Sequence, residues 1–250
     1  MLIDAHCHIH EADYPLDADT VIKNAHDNGV DKMICIGTSV DNSRRAIDFA
    51  SKHDEVFATI GVHPHYASDG LDGLKELLDQ KNSKVVAVGE IGLDYHYDHS
   101  PRDVQQKVLK EQIKLALAHN LPIVFHVREA FDDFWPIFDS FKGIRGEIHG
   151  FSDSFDNMQK AVDRGLYIGV TGIATFTKDL DQQQMYKSIP LGNLILETDA
   201  PYLTPVPFRG KINEPAYVRD IAIFGGKSRH ISEDEVASAS VKNTQALFHL

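Results

Sequence analysis

The chain opens on a chemical motif, Asp4-Ala5-His6-Cys7-His8, which puts two imidazoles two residues apart at the end of a short apolar run. Side chains alternate faces along a strand, so His6 and His8 share one face and Cys7 takes the other. Two imidazoles on one face can converge on a single ion, and histidine is the commonest metal ligand. Four more residues of ligand type follow. They are Glu90 in Gly89-Glu90-Ile91-Gly92, His126 in Phe125-His126-Val127-Arg128, His149 in Ile148-His149-Gly150, and Asp199 in Glu197-Thr198-Asp199-Ala200-Pro201. Four histidines and two carboxylates exceed the four ligands of a closed structural zinc site. They suit two ions sharing a carboxylate, for which Glu90 is the candidate bridge. Each residue alone has a plainer reading: a His-x-His pair in a polar network, Glu90 paired with Arg128, Asp199 capping a turn.

What favours metal is a common position, and that depends on the elements carrying these residues. Short β-branched runs recur at 1–5, 32–37, 56–62, 85–91, 122–127, 146–149, 165–170 and 194–197, with helical patterns between them. Near-continuous apolar runs such as Val85-Val86-Ala87-Val88 are typical of parallel strands buried on both faces. Parallel strands need crossover connections, so eight strand–helix units predict an α/β fold, a (β/α)8 TIM barrel forming a single domain over 1–250. A doubly wound open sheet is the alternative. In the barrel all six candidate ligands stand at C-terminal strand ends, where barrels build their active sites.

Helix signals agree. Ser100 reads as an N-cap before Pro101, with Val104, Val108, Leu109, Ile113, Ala116 and Leu117 following at helical spacing. Ser232 and Glu235 form a capping box, stapled by Ile231 and Val236, that starts a final helix. The Pro- and Gly-richer stretch 200–215 reads as a long loop over one barrel face.

Further polar residues lie near these strand ends. In His63-Pro64-His65, His63 or His65 is placed to contact substrate or an activated water, or else Pro64 simply fixes a loop. Arg128 shares a strand face with His126 and suits phosphate or carboxylate, with a structural ion pair as the alternative. Arg209, Lys211 and Asn213 add polarity to the long loop, where solvated residues are the plain reading. Cys7, facing away from the imidazoles, reads as a packing residue.

Composition bounds the partners. The 250 residues include 25 Lys+Arg against 37 Asp+Glu, a net charge of −12, with 14 His and 2 Cys. Such acidity opposes coating of duplex phosphate by a broad basic surface. Two divalent ions, however, bring about four positive charges into a pocket. Two cysteines make no disulfide framework, so a reducing, cytoplasmic setting is expected. No segment approaches the roughly 18 uncharged apolar residues of a membrane span.

The motifs together resemble the TatD family of metal-dependent hydrolases and deoxyribonucleases. The matching stretches are Asp4 to His8, Gly61 to His65, Gly89 to Tyr95, His126 to Ala130, His149 to Ser152, Glu197 to Leu203 and Arg209 to Pro215, in family order along the whole chain. The resemblance implies a (β/α)8 barrel with a binuclear divalent-metal centre that hydrolyses DNA phosphodiesters, often from the 3′ end. It implies His6, His8, Glu90, His126, His149 and Asp199 as metal ligands. His10 and Ile212 depart from the pattern, standing where the family often has an acidic and a basic residue.

The expected mechanism assigns His6 and His8 to one ion and His126 and His149 to the other. Glu90 bridges them, and Asp199 ligates while accepting a proton from water. Glu90 and Asp199 are thus the catalytic carboxylates, with His63, His65, Arg128 and Arg209 as substrate contacts. Mixed imidazole and carboxylate donors suit zinc as isolated, with magnesium or manganese supporting turnover. The expected substrate is single-stranded DNA or DNA ends, with RNA as a further substrate; no membrane association and no obligate protein partner are expected. The competing enzyme reading is an amidohydrolase-type barrel acting on a small amide, lactone or phosphoester.

Overall fold

The strands β1 (Leu2–Cys7), β2 (Val30–Cys35), β3 (Val56–Ile60), β4 (Val85–Asp94), β5 (Ile123–Arg128), β6 (Gly146–Ile148), β7 (Tyr167–Val170) and β8 (Leu194–Leu196) form one sheet in chain order. The computed structural model describes residues 1–97 and 99–250. Between and after the strands run α1 (Ala18–Asp27), α2 (Val40–Ala50), α3 (Leu74–Asp79), α4 (Arg102–Ala118), α5 (Phe131–Asp139), α6 (Phe155–Asp163), α7 (Ile173–Phe176), α8 (Leu180–Ser188), α9 (Val218–Arg229) and α10 (Glu233–Phe248). Strands in sequence order alternating with helices define the (β/α)8 barrel class. The expected strands are all present. β1 and β4 run further than expected, to Cys7 and Asp94, so that His6 and Glu90 lie within strands.

The chain falls into two compact units. The first, Met1–Cys35 with Gly150–Leu250, contains the parallel pairs β1–β2 and β7–β8. In it a bridge between Cys7 and Ala200 sets the end of β1 beside the segment leaving β8. The Asp199 N–H donates to His6 O (2.8 Å) and the His8 N–H to Ala200 O (2.8 Å). The second unit, Ile36–His149, holds β3 to β6 paired in order.

Two register shifts fall where the chemistry is. β1 has an extra residue relative to β2 between Asp4 and Cys7, the segment holding His6. β4 has one relative to β5 between Val88 and Ile91, the segment holding Glu90. A bulge locally re-aims side chains, so each shift turns a ligand-type residue out of strict alternation. The close approach of β4 to β5 requires glycine: a Cβ on Gly92 would overlap the backbone carbonyl of His126.

α4 differs from its expected start and stripe. It begins at Arg102, after Pro101, and no side chain caps it. Ser100 instead accepts the Ser68 N–H (3.1 Å) and donates to His65 O (3.0 Å), tying the turn after β3 to the α4 entrance. The buried face of α4 includes Gln105 and Gln112 with Leu109, Ile113 and Ala116, while Val104, Val108 and Leu117 are half-buried. The glutamines satisfy backbone at strand ends that the sheet leaves unpaired. Gln105 accepts the Asp94 N–H (2.8 Å) and donates to Asp94 O (3.0 Å), and Gln112 does the same for Val62 at 2.8 and 3.0 Å. In α10, Ser232 caps as expected, accepting the Glu235 N–H.

Candidate metal centre

In the first unit the ends of β1 and β8 build a donor triangle. His6 Nε2 and His8 Nε2 are 3.2 Å apart, and Asp199 Oδ1 lies 3.6 Å from the first and 3.4 Å from the second. Ligand bonds of about 2.0–2.1 Å in tetrahedral geometry place neighbouring donors roughly 3.3 Å apart, so all three spacings fit a shared divalent cation. The arrangement is held from behind. Asp199 has a left-handed backbone (φ 58°), and its neighbour Thr198 donates its N–H to Asp4 Oδ1 (2.8 Å) and its hydroxyl to Asp4 Oδ2 (2.6 Å). Burial pushes the Asp4 carboxyl well above the usual range against these hydrogen bonds. Asn213, expected to be a solvated loop residue, is buried and donates to Thr198 O (2.8 Å) and Tyr202 O (2.5 Å). It is a brace for the segment that carries Asp199, pairing two carbonyls of the loop that leaves the strand end.

The second unit gathers imidazoles round one carboxylate oxygen. Glu90 Oε1 lies 2.8 Å from His126 Nδ1, 3.7 Å from His149 Nε2 and 3.8 Å from His63 Nε2. Glu90 is therefore not paired with Arg128, whose guanidinium sits over the Tyr97 ring instead. The His149 N–H donates to Phe125 O (2.9 Å), which sets its ring 6.3 Å from that of His126.

Sequence reasoning missed Asp94, although it lies in a quoted motif. Its Oδ2 faces His126 Nε2 (2.9 Å) and His65 Nε2 (3.1 Å), while Oδ1 accepts the N–H groups of His96 and Tyr97. Burial would raise the Asp94 carboxyl, but the His126 hydrogen bond and charge outweigh it and hold the group well below its usual range. A carboxylate behind a histidine fixes which nitrogen is free to ligate: with Nε2–H given to Asp94, Nδ1 is the nitrogen turned towards Glu90. Burial lowers His126, but hydrogen bonds to Asp94 and Glu90 raise it overall, marking a place that favours positive charge. The signal available in the sequence was spacing, since Asp94 follows Glu90 by an even four residues along one strand.

His63 takes a different part from His126. Its Nδ1 accepts the His65 N–H (3.1 Å), so the neutral ring carries its proton on Nε2, towards Glu90. Burial holds His63 well below the ordinary histidine range, so it remains neutral. It is a hydrogen-bond donor beside the centre. Arg209, exposed in the long loop, donates to Thr204 O (2.8 Å) and lies 3.9 Å from the Phe176 ring centroid. Cys7 is buried, with its Sγ 3.5 Å from Ile34 O, and faces Cys35 across the β1–β2 pair.

Asp94→Asn keeps the shape but removes the charge behind His126. Loss of such a partner costs about 10–100-fold in metal affinity, so competition with a chromophoric chelator should register that drop. Unchanged affinity would reduce Asp94 to a loop anchor.

A parallel barrel with imidazole and carboxylate donors at its strand ends belongs to the class of metal-dependent hydrolases. The chain is a member of the TatD family: the model of TatD-related DNases matches residues 3–249. It is 36 % identical over 256 residues, covering all of both chains, to the uncharacterized metal-dependent hydrolase YabD of Bacillus subtilis. It is also 36 % identical over 205 residues, 76 % of this chain and 65 % of the other, to deoxyribonuclease Tat-D of Schizosaccharomyces pombe. The crystal structure of the TatD homologue YjjV of Escherichia coli superimposes with a TM-score of 0.93 at 32 % identity, covering 100 % of this chain and 98 % of that one. Among the described residues no helix is long and apolar enough to cross a membrane.

Proposed function

We propose that this metal-dependent hydrolase is a deoxyribonuclease that shortens single DNA strands from the 3′ end. His6, His8, Glu90, His126, His149 and Asp199 would hold two divalent cations. The observation that carries the reading is the His6, His8 and Asp199 triangle, whose 3.2–3.6 Å edges fit ligands of one ion. When bound, divalent cations neutralise phosphate charge and bring the acidity of water towards neutrality.

The chain's own groups do the rest. Asp199, whose side chain is partly exposed while His6 is fully buried, accepts the proton of the attacking water. Glu90, with three imidazoles of its own unit around Oε1, would be the carboxylate ligand on that side. His63 offers Nε2–H to an oxygen of the scissile phosphate, and His65, Arg128 and Arg209 contact the strand. Binding confined to such a pocket reconciles a phosphodiester substrate with a net charge of −12. Zinc suits the donors as isolated, with magnesium or manganese supporting turnover. The two cysteines, both unpaired and buried, agree with a reducing, cytoplasmic setting.

The test uses one oligodeoxynucleotide labelled at either end, and its RNA counterpart, with protein reconstituted with zinc, magnesium or manganese. Attack from the 3′ end releases a 3′ label at once and converts a 5′ label into a descending ladder, and chelation abolishes both. The reverse pattern would overturn the polarity, and no cleavage with any ion would overturn the nuclease reading.

A further inference from the structure

One surface cluster beside the Glu90 and His126 group is centred on Tyr97, a residue with no role in the reading above. Tyr97 is a large side chain left 44 % exposed. The Arg128 guanidinium lies 5.1 Å from its ring centroid, and the rings of His65 and His99 stand 5.5 and 5.6 Å away. Among the described residues Arg128 makes no ion pair. The carboxylate of the adjacent Glu129 is engaged by His96 Nδ1 at 2.6 Å.

The backbone that carries the ring is anchored. Asp94 Oδ1 accepts the Tyr97 N–H (3.2 Å), while Oδ2 of the same carboxylate faces His126 (2.9 Å) and His65 (3.1 Å). One buried carboxylate therefore sets both a proposed metal ligand and the tyrosine beside it.

The geometry points to Tyr97 as a stacking seat for an unpaired nucleobase, with Arg128 reaching the adjoining phosphate; this rests on the nuclease reading and names how that site takes its substrate. Stacking on an exposed aromatic ring is tolerant of sequence, because every base has a π face, and the guanidinium beside the ring supplies the phosphate contact. The occupant is a single strand, since a base within a duplex already has both faces covered by its neighbours. An anionic peptide would use Arg128 but gain little from the ring.

Binding and hydrolysis are measured on the metal-loaded protein with an oligodeoxynucleotide and with the same backbone carrying abasic sites. Phosphorothioate versions, which resist cleavage, report binding by fluorescence anisotropy. Wild-type protein should prefer the base-containing strand by roughly tenfold. Tyr97→Ala should lose that discrimination and Tyr97→Phe should keep it, while Arg128→Ala should weaken both strands alike and flatten the salt dependence. If wild-type protein shows no preference for bases, or if Tyr97→Ala retains it, the seat is overturned whether or not DNA is cleaved. If the preference exists and vanishes in Tyr97→Ala but no DNA is hydrolysed, the seat stands and the nuclease reading fails.

Discussion

Glu90→Ala is expected to hold no more than one of the two proposed ions and to turn over DNA at least about 10³-fold more slowly. The carboxylate is buried, and one of its oxygens faces three imidazoles at 2.8, 3.7 and 3.8 Å. No other group described in that unit does the same. Asp94, the nearest alternative, lies on the far side of the His126 ring and is engaged by His126 and His65. Removing Glu90 also leaves His126 Nδ1 without its 2.8 Å partner, at a cost of about 1–3 kcal/mol in stability. A thermal melt beside elemental analysis separates this from unfolding: a cooperative transition with reduced metal content supports the bridging role. Glu90→Gln, which keeps the shape without the charge, should lose metal as well. Full metal content with wild-type kcat in either variant would exclude the role.

Asp199→Asn tests the other carboxylate. An amide oxygen in the same place still completes the triangle with His6 and His8, but an amide does not take up a proton at neutral pH. The expected result is a kcat lowered by about 10²–10⁴-fold with substantial metal retained, the scale on which a positioned general base contributes. Metal content and kcat falling together would make Asp199 a ligand alone, and an unchanged kcat would remove it from the chemistry. The two variants thus differ in kind: one should fail by losing the ions, the other while keeping them.

The architecture was legible because it rests on repeated local signals. Each strand is a run of apolar residues that must be buried on both faces, and the helical pattern between two such runs leaves few topologies open. The ligand-type residues were legible for a related reason, since each ends such a run. Strict alternation was the weaker guide. His6 and Glu90 lie at register shifts, and the extra residue in each case has no signature in composition. Asn213, Gln105 and Gln112 carry no such signal, because a polar residue looks alike in sequence whether it meets water or a backbone group left over at a strand end. Ser100 was misplaced likewise: its hydroxyl serves residues 65 and 68 rather than the helix that follows it.

By itself the sequence determined the fold class and the residue types available to metal, because burial and donor chemistry are properties of residues and of their immediate neighbours. Only tertiary structure decided which nitrogen of each histidine is offered. His126 presents Nδ1 to Glu90 because Asp94, thirty-two positions away along the chain, takes Nε2, whereas His63 gives Nδ1 to the backbone of His65 and keeps its proton on Nε2. A ring's tautomer is set by the partner on its far side, and that partner comes from another strand or loop.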